Sequence, residues 1–151
     1  MATPDREATH PESGARIRFA IEAALEELAP ASARIREFLS EHGVDRPAIF
    51  AIETAIEELA TNAIKYAFCP SQKAEITLEA AATPTRAEFI IEDNGRAFDP
   101  TEAPDPQVDR PLEDMPIGGL GIHLVRALTD GFDYRRINDR NQVRVWVQLK
   151  R

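Results

Sequence analysis

Glu58, Asn62 and Lys65 stand at i, i+4 and i+7 of one segment, which puts a carboxylate, an amide oxygen and an ammonium in a row on one helical face. The set suits phosphate chemistry. An amide oxygen is a hard neutral ligand for Mg2+, a carboxylate can order a water or take a hydroxyl proton, and a lysine can neutralise phosphate oxygens. An ordinary exposed helix face carries the same residue types equally well. Asp93, followed by Asn94 and Gly95, closes an apolar run. A carboxylate at a strand end can accept from an exocyclic amine such as that of adenine, and Gly95 lets the backbone approach a flat ring. The same Asn-Gly pair is also a plain turn signal. Gly118-Gly119-Leu120-Gly121 opens a helical pattern and bares backbone N–H groups beside the positive end of its dipole, a site for a polyphosphate. A simple hinge is the alternative there. No Gly-Lys-Ser/Thr follows these glycines and no strand precedes them, which excludes a P-loop and a dinucleotide fingerprint.

The elements that must position these residues follow from periodicity. Ile17, Phe19 and Ile21 alternate with Arg16, Arg18 and Ala20, as in a strand with one buried face. A first helix is expected after Pro30, ending near Gly43, which can supply a left-handed cap. A second is expected over 45–68, with Asp45 as N-cap, Pro47 in the first turn and Pro70 beyond its end. Ile49, Ile52, Ile56, Leu59, Ala63 and Tyr66 recur there at spacings of 3, 4, 3, 4 and 3, one apolar stripe. Ile76, Leu78 and Ala80 alternate with polar residues, and a second run covers 86–92, so the two form a hairpin turning at Thr83-Pro84. The glycine-led helix is expected over 118–130, closed by Gly131. A last hairpin pairs 132–136 with 142–149, turning through 138–141, with Val143, Val145, Val147 and Leu149 on one face. Strands joined by tight hairpins are antiparallel, and helices long enough to cover them come before and between. The fold class is therefore α/β (α+β), a two-layer sandwich whose one sheet face packs on helices.

Composition bounds the rest. The 151 residues are 43% hydrophobic and 29% charged, as in a single globular domain. Residues 1–14 are polar and aperiodic and are expected to form a tail. The stretch 99–116 holds five of the eleven prolines and six acidic residues against one arginine, the composition of an irregular loop. The formal charge of −8 repels nucleic acid and anionic membrane. Arg135, Arg136, Arg140 and Arg144 are interleaved with Asp133 and Asp139 and are expected on a solvated strand face and turn. No apolar run approaches the roughly 18 residues that span a bilayer, and the first residues carry no secretory pattern, so a cytoplasmic protein is expected. Cys69 stands alone, which excludes an intrachain disulfide and a cysteine zinc site; a buried or idle thiol is expected.

The three constellations occur in the order and wording of a known superfamily. Glu58-Leu59-Ala60-Thr61-Asn62-Ala63-Ile64-Lys65-Tyr66 resembles the N box of the GHKL (histidine kinase-like, Bergerat fold) ATPases. Asp93-Asn94-Gly95-Arg96-Ala97-Phe98-Asp99-Pro100 resembles their G1 box. Gly118-Gly119-Leu120-Gly121-Ile122-His123-Leu124-Val125-Arg126 resembles their G2 box. Within the superfamily the chain is most similar to the anti-sigma-factor serine kinases of the RsbW type. The resemblance implies a mostly antiparallel sheet of about five strands covered by about three helices, with ATP and Mg2+ as cofactors. It implies that Asn62 holds Mg2+ and that Asp93 binds the adenine amine. Lys65, Tyr66, Gly95, Phe98, Gly118, Gly119, Leu120, Gly121 and Ile122 would complete the nucleotide pocket, with 99–117 as its lid. Glu58 matches the catalytic base, which would take the proton of a serine on an anti-anti-sigma partner of the STAS type. Phosphorylating that partner would free the chain to bind and silence a sigma factor. Homodimers are common in the family.

The chain departs from sensor histidine kinases in its lid, which has no glycine between Gly95 and Gly118 and is acidic and proline-rich. It also lacks an acceptor histidine module: His10 precedes Pro11, His42 ends a helix, and His123 falls inside the glycine-led helix. A detached sensor-kinase domain is one rival reading. A nucleotide-using anti-sigma binder without kinase activity is another, since Glu57 lies beside Glu58. A purely structural dimerising module would require both the glycine loop and the polar helix row to be accidental.

Overall fold

The computed structural model describes residues 14–102 and 119–150, and for 119–120 the backbone alone. The expected tail, apart from Gly14, lies outside the described residues, as do Gly118 and most of the expected lid, 103–117. The described residues form strand β1 (Ala15–Ile21), helices α1 (Leu28–Glu41) and α2 (Arg46–Asn62), strands β2 (Ile76–Ala82) and β3 (Arg86–Asp93), helix α3 (Gly119–Leu128), and strands β4 (Gly131–Ile137) and β5 (Arg140–Gln148). The five strands make one sheet in the order β1-β2-β3-β5-β4, with every neighbouring pair antiparallel. One face of this sheet packs on the helices, which is the two-layer α/β sandwich that the periodicities predict.

The core is the seam between the layers. Leu39 and Ile35 from α1, Ile52 and Ile56 from α2, Val125 and Ile122 from α3, and Leu78, Phe89 and Val145 from the sheet are fully buried in it. Each such side chain contributes about 2 kcal/mol by leaving water. Asp45 caps α2 as expected, its Oδ1 accepting from the N–H of Ala48 at 3.0 Å, and Gly43 takes the left-handed conformation (φ 78°) after α1. No helix among the described residues is long and apolar enough to cross a membrane.

Four local expectations are corrected. Helix α1 starts before Pro30, because a proline in the first turn forfeits no helical hydrogen bond. Helix α2 is α-helical only to Asn62; Ala63–Ala67 form a wider π turn. Such a turn spends one extra residue, so the buried stripe continues at Ala67 and leaves Tyr66 half-buried. Gly131 is not a helix cap. It begins β4, where a side chain would collide with the indole of Trp146. The last hairpin turns on Asn138 and Asp139 alone, both at positive φ (51° and 60°), so Asn141 belongs to β5 and is buried. Cys69 is exposed.

The other sheet face carries ion pairs. Glu79 meets Arg16 and Arg18, Glu88 meets Arg86 and Arg144, and Asp133 meets Arg144. Arg86 and Arg144 both lie over the ring of Trp146, 5.1 and 5.0 Å from its centroid.

Candidate functional site

A cavity opens where the end of α2, the π turn, the end of β3 and the start of β5 meet. Asn62, Asp93 and Phe98 line it with Leu59, Ala63, Ala67, Ile91, Pro100, Asn141 and Val143. Its walls are thus largely apolar, and its few polar groups converge, which is the usual makeup of a small-molecule site. The polar row on α2 is not an exposed face: Glu58 is half-buried, Asn62 is buried and only Lys65 is exposed. The Nδ2 of Asn62 is buried with no hydrogen-bond partner among the described residues. An orphan of this kind costs about 1–3 kcal/mol, so a ligand that satisfies it recovers that cost. Half a turn of the amide exchanges its nitrogen for its oxygen, which can then face a cation.

Asp93 ends β3 on the opposite wall. Its Oδ1 accepts from the N–H of Gly95 and from Nδ2 of Asn141, both at 2.9 Å. Burial raises its pKa above the ordinary carboxylate value. The bonds from Asn141 and Gly95 and the charge of Arg136 pull the other way, and Glu92 adds to the rise. The loop after Asp93 is tied to the π turn, where Arg96 donates from its N–H to the carbonyl of Ala67 and from Nε to that of Tyr66, both at 2.9 Å. Gly95 lies in this contact: a Cβ there would come within 2.5 Å of the Ala67 oxygen and 2.6 Å of its Cβ. Close approach, rather than a left-handed turn, is the reason for glycine at this position.

Glu58 stands against the start of α3, where a Cβ at Gly121 would collide with its carboxylate. Burial chiefly raises its pKa, Glu57 adds to this, and Lys65 opposes it. Ile122 faces the core and is fully buried, while His123 is exposed. Of the expected pocket residues, the cavity therefore joins Asn62, Asp93 and Phe98 directly. Glu58 and Gly121 meet one another, Gly95 backs the cavity floor, and Gly119 begins α3. Tyr66 meets the site only through its carbonyl, Lys65 stays in solvent, and Gly118 and the side chain of Leu120 lie outside the described residues.

Sequence reasoning missed Asn141, Tyr134 and Arg136. Asn141 was expected in a turn and Arg136 on a solvated face. Arg136 is exposed, as expected, yet its Nη1 donates to the carbonyl of Gly95 at 2.8 Å and to Oδ1 of Asn141 at 3.1 Å, and Tyr134 donates its hydroxyl to the same oxygen at 2.6 Å. The available signal was the period of two on β5, in which Asn141 continues the inward row of Val143, Val145 and Val147.

Residues 21–147 match the family model described as "Histidine kinase-like ATPase domain". The chain belongs to this family. As a histidine kinase-like ATPase domain it is 34% identical over 87 residues to the serine/threonine-protein kinase BtrW of Bordetella bronchiseptica, covering 58% of this chain and 61% of that protein. It is 35% identical over 95 residues to the serine-protein kinase RsbW of Listeria innocua, covering 60% of each. The chain thus spans about three fifths of the length of the curated relatives it matches. Among solved structures it resembles the RsbU and RsbW domains of Rv1364c from Mycobacterium tuberculosis, with a TM-score of 0.65 at 19% identity over 91% of this chain and 33% of that one. A histidine kinase domain from Erythrobacter litoralis EL346 matches with a TM-score of 0.51 at 17% identity over 82% of this chain and 60% of that one. At these identities the likeness to solved structures establishes the shared fold.

Proposed function

We propose that this domain is an ATP-dependent serine-protein kinase and anti-sigma factor, which phosphorylates a STAS-type anti-anti-sigma partner and otherwise sequesters a sigma factor. The observation that carries this reading is the meeting of an orphaned amide, Asn62, and a buried carboxylate, Asp93, across one apolar cavity, with Glu58 at the start of α3 beside it. The names of the related BtrW and RsbW kinases support it. Asp93 would accept from the adenine amine while Ala63, Ala67 and Val143 face the ring, and the N-terminus of α3 would face the phosphates. The described residues include no cluster of three or more His, Cys, Asp or Glu able to hold a metal. A Mg2+ ion held through Asn62 would complete its shell with phosphate and water, as Mg2+ commonly does, and would supply charge neutralisation.

In the reaction, the serine hydroxyl oxygen forms a bond to the γ-phosphorus as the bond to the β-phosphate bridging oxygen breaks, and ADP leaves. The hydroxyl proton passes to Glu58, whose pKa, raised chiefly by burial, makes it a stronger base than an ordinary carboxylate. The test is Mg-ATP binding and phosphate transfer to a STAS protein by the wild type, Asn62→Ala and Glu58→Ala. Asn62→Ala is expected to lose binding. Glu58→Ala is expected to bind ATP and to lose transfer by about a hundredfold or more. Equal transfer by the wild type and Glu58→Ala rejects the base assignment, and absence of ATP binding by the wild type rejects the whole reading.

A further inference from the structure

The polar centre of the cavity wall is an amide that the proposed chemistry leaves unused. Asn141 is 2% exposed, and both ends of its side chain are bonded. Its Nδ2 donates to Oδ1 of Asp93 at 2.9 Å and to the carbonyl of Arg96 at 2.7 Å. Its Oδ1 accepts from the Tyr134 hydroxyl at 2.6 Å, from Arg136 at 3.1 Å and from the N–H of Phe98 at 3.2 Å. These neighbours decide which way the amide points. Turned over, its NH2 would face a guanidinium and an N–H, and its oxygen would face a carboxylate and a carbonyl. Tyr134 and Arg136 on β4 and Phe98 beyond β3 therefore lock the donor end of Asn141 onto Asp93.

The consequence falls on the two oxygens of Asp93. Oδ1 is occupied by two donors, Gly95 and Asn141, and no donor among the described residues bonds Oδ2. We propose that Asn141 is a positioning residue for base selection: it holds Asp93 as a one-sided acceptor whose remaining oxygen takes the amine of a 6-aminopurine and rejects a 6-oxopurine. This rests on the nucleotide reading above and assigns a role to a residue outside the three motifs. An oxo group meeting a carboxylate oxygen sets acceptor against acceptor, and a buried polar site rejects such a mismatch strongly. Without the Asn141 donor, Asp93 is free to rotate or to take up a proton. As a carboxylic acid it donates, and a 6-oxopurine then fits as well as a 6-aminopurine. The charged groups around it are Glu92 on β3, Arg136 on β4 and Arg140 on β5.

The experiment compares the affinities of the Mg2+ complexes of ATP and inosine triphosphate for the wild type, Asn141→Ala and Tyr134→Phe, between about pH 5 and pH 8. Asn141→Ala is expected to lower the ATP-to-ITP affinity ratio about tenfold or more, the effect of one hydrogen bond to a charged group. It should also move the loss of ATP binding to a higher pH, because the missing donor lets Asp93 protonate sooner. Tyr134→Phe removes only the phenol oxygen and is expected to lower the ratio about threefold. A purely structural Asn141 would weaken both nucleotides alike and leave the ratio unmoved. A folded Asn141→Ala with the wild-type ratio overturns the proposal, and if that variant does not fold, a wild-type ratio and pH profile in Tyr134→Phe overturns it. A wild type that binds neither nucleotide overturns the nucleotide reading itself, a different failure from a wild type that binds ATP and variants that discriminate equally well.

Discussion

Asp93 is a carboxylate that folding removes from water, and its burial outweighs the two hydrogen bonds and the arginine charge that favour ionisation. A carboxyl group whose pKa is raised on folding contributes stability in full only below its unfolded pKa, and that contribution is lost as pH rises through the folded value. The apo domain should therefore lose stability at Asp93 between acid and neutral pH. Asp93→Asn keeps an oxygen for Gly95 and Asn141 and removes the charge. It is expected to melt at or above the wild-type temperature near neutrality, with the difference growing from acid to neutral pH, and to bind no ATP. Thermal melts of both proteins at several pH values check the sign; a variant that gains nothing on raising the pH contradicts it. Asp93 itself stood out in the sequence because it ends an apolar run before Asn-Gly. The residue that orients it did not, because Asn138, Asp139, Arg140 and Asn141 all read as turn formers. Only the positive φ of Asn138 and Asp139 shows that two residues suffice for the turn.

Among the elements, the π turn of Ala63–Ala67 does the most to shape the site. It carries the chain from the polar row of α2 to the loop after Asp93, offering the carbonyls of Tyr66 and Ala67 to Arg96. Helical periodicity located α2 and its Asp45 cap, since both depend on local spacing. The π turn was not legible, because after Ala63 both Tyr66 at helical spacing and Ala67 one position later continue an apolar stripe, so a one-residue insertion leaves no mark in the pattern. Two glycines separate the consequences of packing from those of backbone conformation. At Gly95, an added methyl group must displace backbone and Cβ atoms of Ala67. Gly95→Ala is expected to cost about 2 kcal/mol as overpacking and to weaken ATP binding with it. At Gly43 there is open space but a left-handed φ of 78°. Gly43→Ala is expected to cost about 1 kcal/mol and to leave ATP affinity as in the wild type. Denaturant melts with and without Mg-ATP distinguish the two, and equal losses of affinity would break the link between the π turn and the site.

At the scale of the whole molecule, the hairpins β2–β3 and β4–β5 were legible from turn residues, whereas the pairing of β1 with β2 and of β3 with β5 was not. Those pairings join segments distant in sequence, and no short pattern encodes them. The cavity depends on one of them: Asp93 on β3 faces Asn141 on β5 only because these two residues are in register. Its walls also include α2 and the π turn, so the site exists only in the assembled fold and not in the unfolded chain. A ligand that binds the native state alone stabilises it in proportion to its occupancy, by about 2.7 kcal/mol at a hundred times its Kd. For a domain of this size that corresponds to a rise in Tm of about 5–10 °C. Asn62→Ala should lose this rise. Arg144→Ala should keep it, because Arg144 lies on the other face of the sheet, paired with Glu88 and Asp133 and away from the cavity lining. The decisive measurement is the Tm of all three proteins with and without saturating Mg-ATP. A wild-type rise that Asn62→Ala shares would place the nucleotide elsewhere on the surface, and a rise lost in Arg144→Ala would place it on the open face of the sheet.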